Sequence, residues 1–148
     1  MGKKKVSGNA RRKEKEMREY VRIKGHLDCL RFLFDKVKPS RETEKQAALQ
    51  AAAYGHLDIL KYFVEERKIP EEVKSDCMAT AAKFGRLDCL KYLVEEAKVS
   101  LNHWPYIANA RYFEHTDCLK YLRENGCPEP TDEQYAWFVE NRERDSED

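Results

Sequence analysis

The chain has 148 residues, 41% of them apolar and 37% charged, which bounds it to one domain with a core of modest size. No apolar run approaches the roughly 18 residues a membrane span needs, so no membrane partner is expected. The net charge of +1 hides an asymmetry: residues 1–24 hold ten Lys/Arg against three Glu, and the remainder holds 18 basic against 24 acidic side chains.

Residues 1–15 have almost no apolar content, with one basic cluster at Lys3, Lys4 and Lys5 and another at Arg11, Arg12 and Lys13. Such a segment cannot bury enough surface to offset its ordering entropy and is predicted to be a disordered basic arm. A solubilising tail is the first expectation. The same residues also suit contact with the phosphates of RNA or another polyanion, or a targeting signal. The spacer between the clusters is short for a bipartite nuclear signal. No acid precedes Glu14, as in a mitochondrial presequence, but the arm lacks the apolar stripe of one. Five cysteines, an odd number without a Cys-x-x-Cys pair, and no apolar signal-peptide core predict a reducing intracellular compartment, cytoplasmic or nuclear.

From Glu16 onward the chain reads as alternating helices. Met17, Tyr20 and Val21, interleaved with Arg18, Glu19 and Arg22, give a first amphipathic helix suited to a terminal repeat. A marker then occurs four times, as Gly25-His26-Leu27-Asp28-Cys29-Leu30, Gly55-His56-Leu57-Asp58-Ile59-Leu60, Gly85-Arg86-Leu87-Asp88-Cys89-Leu90 and Glu114-His115-Thr116-Asp117-Cys118-Leu119. Its aspartates are 30, 30 and 29 residues apart, the signature of a stacked repeat array. Each marker opens an amphipathic helix: Leu57, Leu60, Phe63 and Val64 share one face. Each of the last three follows an alanine-bearing helix, at residues 46–54, 77–84 and 106–113. Thr43-x-x-Gln46 predicts a capping-box start for the first of these, and Gly55 and Gly85 predict left-handed ends. Pro70 marks a break, Cys127-Pro128-Glu129-Pro130 closes the fourth pair, and Thr131-x-x-Gln134 opens a capping helix expected to reach about Arg142. Residues 143–148 are left as an acidic tail.

Ala51-Ala52-Ala53-Tyr54-Gly55-His56 and Ala81-Ala82-Lys83-Phe84-Gly85-Arg86 resemble the ankyrin repeat, as does the turn Leu122-Arg123-Glu124-Asn125-Gly126-Cys127. The resemblance covers about residues 16–142 and implies an all-α solenoid of about four helix pairs plus a C-terminal capping helix. The Thr-Pro-Leu-His start of that family and the Asp-Gly of its β-hairpin finger are absent, so short or missing fingers are expected. The resemblance further implies a non-enzymatic protein–protein interaction module, a scaffold or adaptor binding a protein on its concave face. The alternative is a structural subunit of a large ribonucleoprotein assembly, with the basic arm on RNA.

His26-x-x-Cys29 and His115-x-x-Cys118 have a one-turn spacing that suits metal ligands. The equivalent pairs, His56/Ile59 and Arg86/Cys89, mark core positions instead, so the cysteines are expected to be buried and no metal is expected. No phosphate-cradling glycine loop or His-Glu-x-x-His occurs, so no catalytic residue, cofactor or small-molecule substrate is expected. The candidates for partner binding are Tyr54, Phe84 and Phe113 before each inter-helix turn, their neighbours Lys83 and Tyr112, and the non-recurring His103 and Trp104. By family resemblance these turn positions and the loop before the first helix face the groove. The second aromatic column, Phe32, Tyr62, Tyr92 and Tyr121, is expected to pack between repeats.

Overall fold

The computed structural model describes residues 8, 11–13, 15–16 and 27–146. Between Leu27 and Ser146 run eight helices: α1 (Leu27–Val37), α2 (Arg41–Ala53), α3 (Leu57–Glu65), α4 (Glu71–Phe84), α5 (Leu87–Glu95), α6 (Pro105–Tyr112), α7 (Thr116–Glu124) and α8 (Asp132–Ser146). They form the pairs α2/α3, α4/α5 and α6/α7, preceded by α1 and followed by α8. The helix expected around Met17, Tyr20 and Val21 lies outside the described residues.

The first helices of the pairs, α2, α4 and α6, stack closest together, and α1, α3, α5 and α7 make a second, looser row. Alanine explains the difference: Ala47, Ala48, Ala51 and Ala52 in α2, Ala81 and Ala82 in α4, and Ala108 and Ala110 in α6 are fully buried, so the backbones can approach. The second row supplies the bulk of the core through Leu30, Phe34, Leu60, Phe63, Leu90, Leu93 and Leu122. No strand occurs among the described residues, and the connections between pairs are plain loops at 38–40, 66–70 and 96–104. The fingers are therefore absent there, as the missing Asp-Gly implied.

Within a pair the chain turns through one left-handed residue. Gly55 and Gly85 have φ of 73° and 72°, and Glu114 holds the same conformation with φ 60°. The amides of His56, Arg86 and His115 bond back to the carbonyls of Ala51, Ala81 and Ala110 at 2.8–2.9 Å, closing each first helix. Lys38, Lys68 and Lys98 also have positive φ where the chain leaves a second helix, and Gly126 serves that turn in the last pair.

The start of α2 differs from expectation. The cap of α2 is Ser40, whose hydroxyl accepts from the Thr43 amide at 3.3 Å, and Gln46 bonds Glu42 instead of closing a box with Thr43. Pro39 stops α1's continuation and leaves Ser40 as the first side chain able to cap, so the helix begins a turn earlier than Thr43 suggested. In the fourth repeat the first helix begins at Pro105, next to the expected Tyr106. Proline suits that first helical position because its missing N–H would be unpaired there, and Trp104 before it already has helical φ and ψ of −61° and −26°. The box at α8 is as expected: the Thr131 amide donates to Gln134 at 2.9 Å and the Gln134 amide to Thr131 at 3.2 Å. That helix runs past Arg142 to Ser146, into the segment expected to be a tail.

Repeat is tied to repeat by two recurring links. Arg31, Lys61 and Lys91 each place a cation over the ring of the next repeat's Tyr62, Tyr92 and Tyr121, at 5.5, 5.4 and 5.7 Å. The hydroxyls of Tyr92 and Tyr121 return a bond of 3.0 Å to Glu65 and Glu95 of the repeat before. Tyr62 and Tyr92 are buried, and Tyr121 partly so, as expected of an inter-repeat column. Phe32 departs from it: the ring is 61% exposed, and Cys29, one turn earlier on the same face, is exposed too. Both stand on α1, which has no described second helix before it to cover the face that later copies bury.

Candidate functional site: an aromatic and cationic row

The left-handed turns that end the first helices set an aromatic at the same place in three successive repeats. Tyr54 and Phe84 are 43% and 44% exposed, and Phe113 is half-buried. Cations run between these rings. The Lys83 ammonium lies 5.3 Å from the centre of Phe84 and 5.6 Å from that of Phe113. Arg142, reaching over from α8, lies 5.6 Å from Phe113 and 5.1 Å from Phe138. Tyr112 meets Phe113 and Phe138 edge-on at 4.9 and 6.0 Å, and Arg111 covers Tyr135 at 4.0 Å. Cation and ring face attract through the ring quadrupole, each contact stabilising by about 0.5–1 kcal/mol where exposed.

Below this row a second inter-repeat link reaches backward. His115 Nε2 stands 2.9 Å from the carbonyl oxygen of Lys83, which can only accept, so the ring donates from that nitrogen. Arg86 does the same work one repeat earlier: its Nε donates to the Ala53 carbonyl at 2.9 Å. Both side chains lie against the preceding glycine. A Cβ on Gly85 would fall 2.4 Å from His115 Nδ1, and one on Gly55 would fall 3.1 Å from Arg86 Cδ. Gly85 is therefore required for close approach as well as for φ, while at Gly55 the φ is the stronger demand.

Of the candidates named from sequence, the structure brings Lys83, Phe84, Tyr112 and Phe113 together, with Tyr54 one repeat along. His103 and Trp104 are set apart from them at the other end of α6, roughly 12 Å of helix away. Trp104 packs edge-on against Trp137 of α8 at 6.4 Å, and His103 against Tyr106 at 5.1 Å. Asn109, buried in α6, accepts from Arg142 at 2.8 Å, so α8 is seated by Trp104, Asn109 and Tyr112 together. Arg86, Arg111, Arg142, Tyr135 and Phe138 join the row without having been expected to. An asparagine between Ala108 and Ala110, in a helix meant for close packing, was the one readable sign of a polar link to α8.

Arg11, Arg12 and Lys13 are exposed on helical backbone, where irregular chain was expected, and Arg12 pairs with Glu16 at 3.6 Å. Lys3, Lys4 and Lys5 lie outside the described residues. All five cysteines are free thiols, and four are buried. Burial pushes the Cys77 thiol up to about 12, and those of Cys89, Cys118 and Cys127 up to about 11. In the His115/Cys118 pair the imidazole is engaged by the Lys83 carbonyl and the thiol is in the core. His26 lies outside the described residues.

The tight alanine-bearing first helix, the left-handed turn and the backward bond from the residue after it, Arg86 or His115, recur in register from α4 to α7, and over that stretch the chain matches the family model of ankyrin repeats (many copies), at residues 78–123. Over those residues the chain is similar to ankyrin repeats. Ankyrin repeats generally mediate protein–protein interaction and are typically non-enzymatic. Comparison with curated proteins and with solved structures gives no match. Among the described residues no helix is long and apolar enough to cross a membrane.

Proposed function

We propose that the chain is a non-enzymatic binding module, a scaffold or adaptor that holds a partner protein on the concave side of its stacked ankyrin pairs. The observation that carries this reading is the exposure of Tyr54 and Phe84 on adjacent repeats, at 43% and 44%. Large aromatics held half-open on a rigid stack supply much of the energy of interfaces. Lys83, Tyr112 and Phe113 extend that surface, and His103 and Trp104 form its far margin. The test is affinity capture by the full chain beside a Tyr54→Ser/Phe84→Ser variant. A partner retained by the first and lost by the second, with the same thermal midpoint in both, supports the reading. Partners indifferent to both rings remove it.

A second reading draws on the exposed Arg11, Arg12 and Lys13. There the chain is a structural subunit of a ribonucleoprotein assembly, with the arm on RNA phosphates. It requires RNA binding that weakens steeply with salt and disappears when residues 1–13 are deleted. RNA affinity unchanged by that deletion would exclude it.

A further inference from the structure

The position after the turn glycine has one structural duty, which is to donate a single hydrogen bond to the preceding repeat's carbonyl. His115 fulfils it with one ring nitrogen. Arg86 fulfils it with Nε alone, at 2.9 Å from the Ala53 oxygen, and that bond fixes the plane of the guanidinium. The two terminal nitrogens remain as an oriented fork on an exposed side chain, and no described carboxylate lies in ion-pair distance of them. The fork borders an open groove of about 320 Å³ whose other walls are Tyr54, Gly55, Gly85, Leu87, Asp88 and Cys89. A planar guanidinium with its two outer N–H groups free matches a carboxylate, which it can bind through two parallel bonds.

The surroundings favour an anion. Lys83, Arg111 and Arg142 lie along the same row of rings, against Asp88 in the groove and Glu114 at the next turn. Arginine is thus a departure from the histidine at positions 56 and 115, and it adds donors on a groove that Tyr54 also lines. The geometry points to Arg86 as the residue that selects an acidic partner: a segment carrying Asp or Glu, laid across Tyr54 and Phe84, with its carboxylate on the Arg86 fork. This rests on the protein-binding reading above and names the chemistry of the partner.

The variant Arg86→His separates recognition from structure, because imidazole can take over the carbonyl bond as at position 115 while the fork is lost. A random peptide library is panned against the full chain and against this variant. Peptides selected on the full chain are expected to be enriched in Asp and Glu over the input. A selected peptide should bind Arg86→His about tenfold more weakly, the worth of one or two charged hydrogen bonds. Changing its carboxylates to amides should weaken binding to the unaltered chain by a similar factor, whatever the variant's stability. Selected peptides without acidic enrichment, or undiminished affinity for Arg86→His or for the amide peptide, overturn the role of Arg86 and leave the binding module standing. If no peptide is selected at all, the binding module fails and takes this inference with it.

Discussion

A methyl group on Gly85 would stand 2.4 Å from the His115 ring, on a residue whose φ of 72° already disfavours any side chain. Gly85→Ala is therefore expected to lower unfolding free energy by about 2–3 kcal/mol, read as a shifted urea midpoint at unchanged slope. Glu114 shows the converse. It holds a left-handed φ of 60° at the equivalent turn, so Glu114→Gly is expected to raise stability, by up to about 1 kcal/mol. A second residue-scale expectation concerns alkali. Burial lifts the phenols of Tyr62, Tyr92 and Tyr121, the last up to about 12, and lifts four thiols to about 11 or 12 from an ordinary value of 9.0. The folded state thus holds these protons more tightly than the unfolded chain. The associated stability is complete below about pH 9 and is lost as pH rises through the folded values. Urea midpoints measured at pH 8 and at pH 10.5 should fall in that order, and equal midpoints would contradict the burial of these groups.

At the scale of helices, the marker stretch is a seam as well as a repeat. Tyr92 on α5 receives Lys61 on its face and donates to Glu65, both from α3. Tyr92→Ala is expected to destabilise the array by about 3 kcal/mol, and Tyr92→Phe, which keeps the ring, by about 1 kcal/mol. Chemical denaturation of the two variants distinguishes packing from the hydroxyl bond. Most of the element plan was legible because it is local and recurs: glycine at the turns, alanine on the stacked faces, and leucine at helical spacing after each marker. Ser40 was in plain view. It was passed over because a stronger-looking Thr-x-x-Gln spacing outweighed a serine directly after Pro39. The candidate row was half legible. Its rings recur in register, but Arg142 meets Phe113 only because α8 folds back across α6, and no period in the sequence carries that contact. Trp104 and Tyr112 stood out by not recurring, and much of each serves to seat α8.

For the whole molecule, α8 closes one end. It packs on α6 through Trp104–Trp137, Tyr112–Phe138 and Asn109–Arg142, where a further repeat would otherwise stack. Terminal repeats need such a cover because the stacking face is apolar. Deleting residues 131–148 is expected to lower the thermal midpoint and to expose Phe113, detectable as increased binding of a hydrophobic dye. An unchanged midpoint would mean that α8 is an appendage.

The links between repeats all point one way. A cation in one repeat serves the tyrosine of the next, and that tyrosine and the following His or Arg reach back. At the last repeat, where no tyrosine follows, Lys120 instead pairs with its own Glu124 at 3.8 Å. On α1, Lys36 of the same helix lies over Phe32, at 5.6 Å. A stack with this polarity has two unlike ends. Any self-association through those ends would join head to tail, and a head-to-tail contact that does not close on itself grows as a filament instead of stopping at a two-fold dimer. The C-terminal helix, packed over α6, lies where such a contact would form at that end, as a chain terminator does in a polymer.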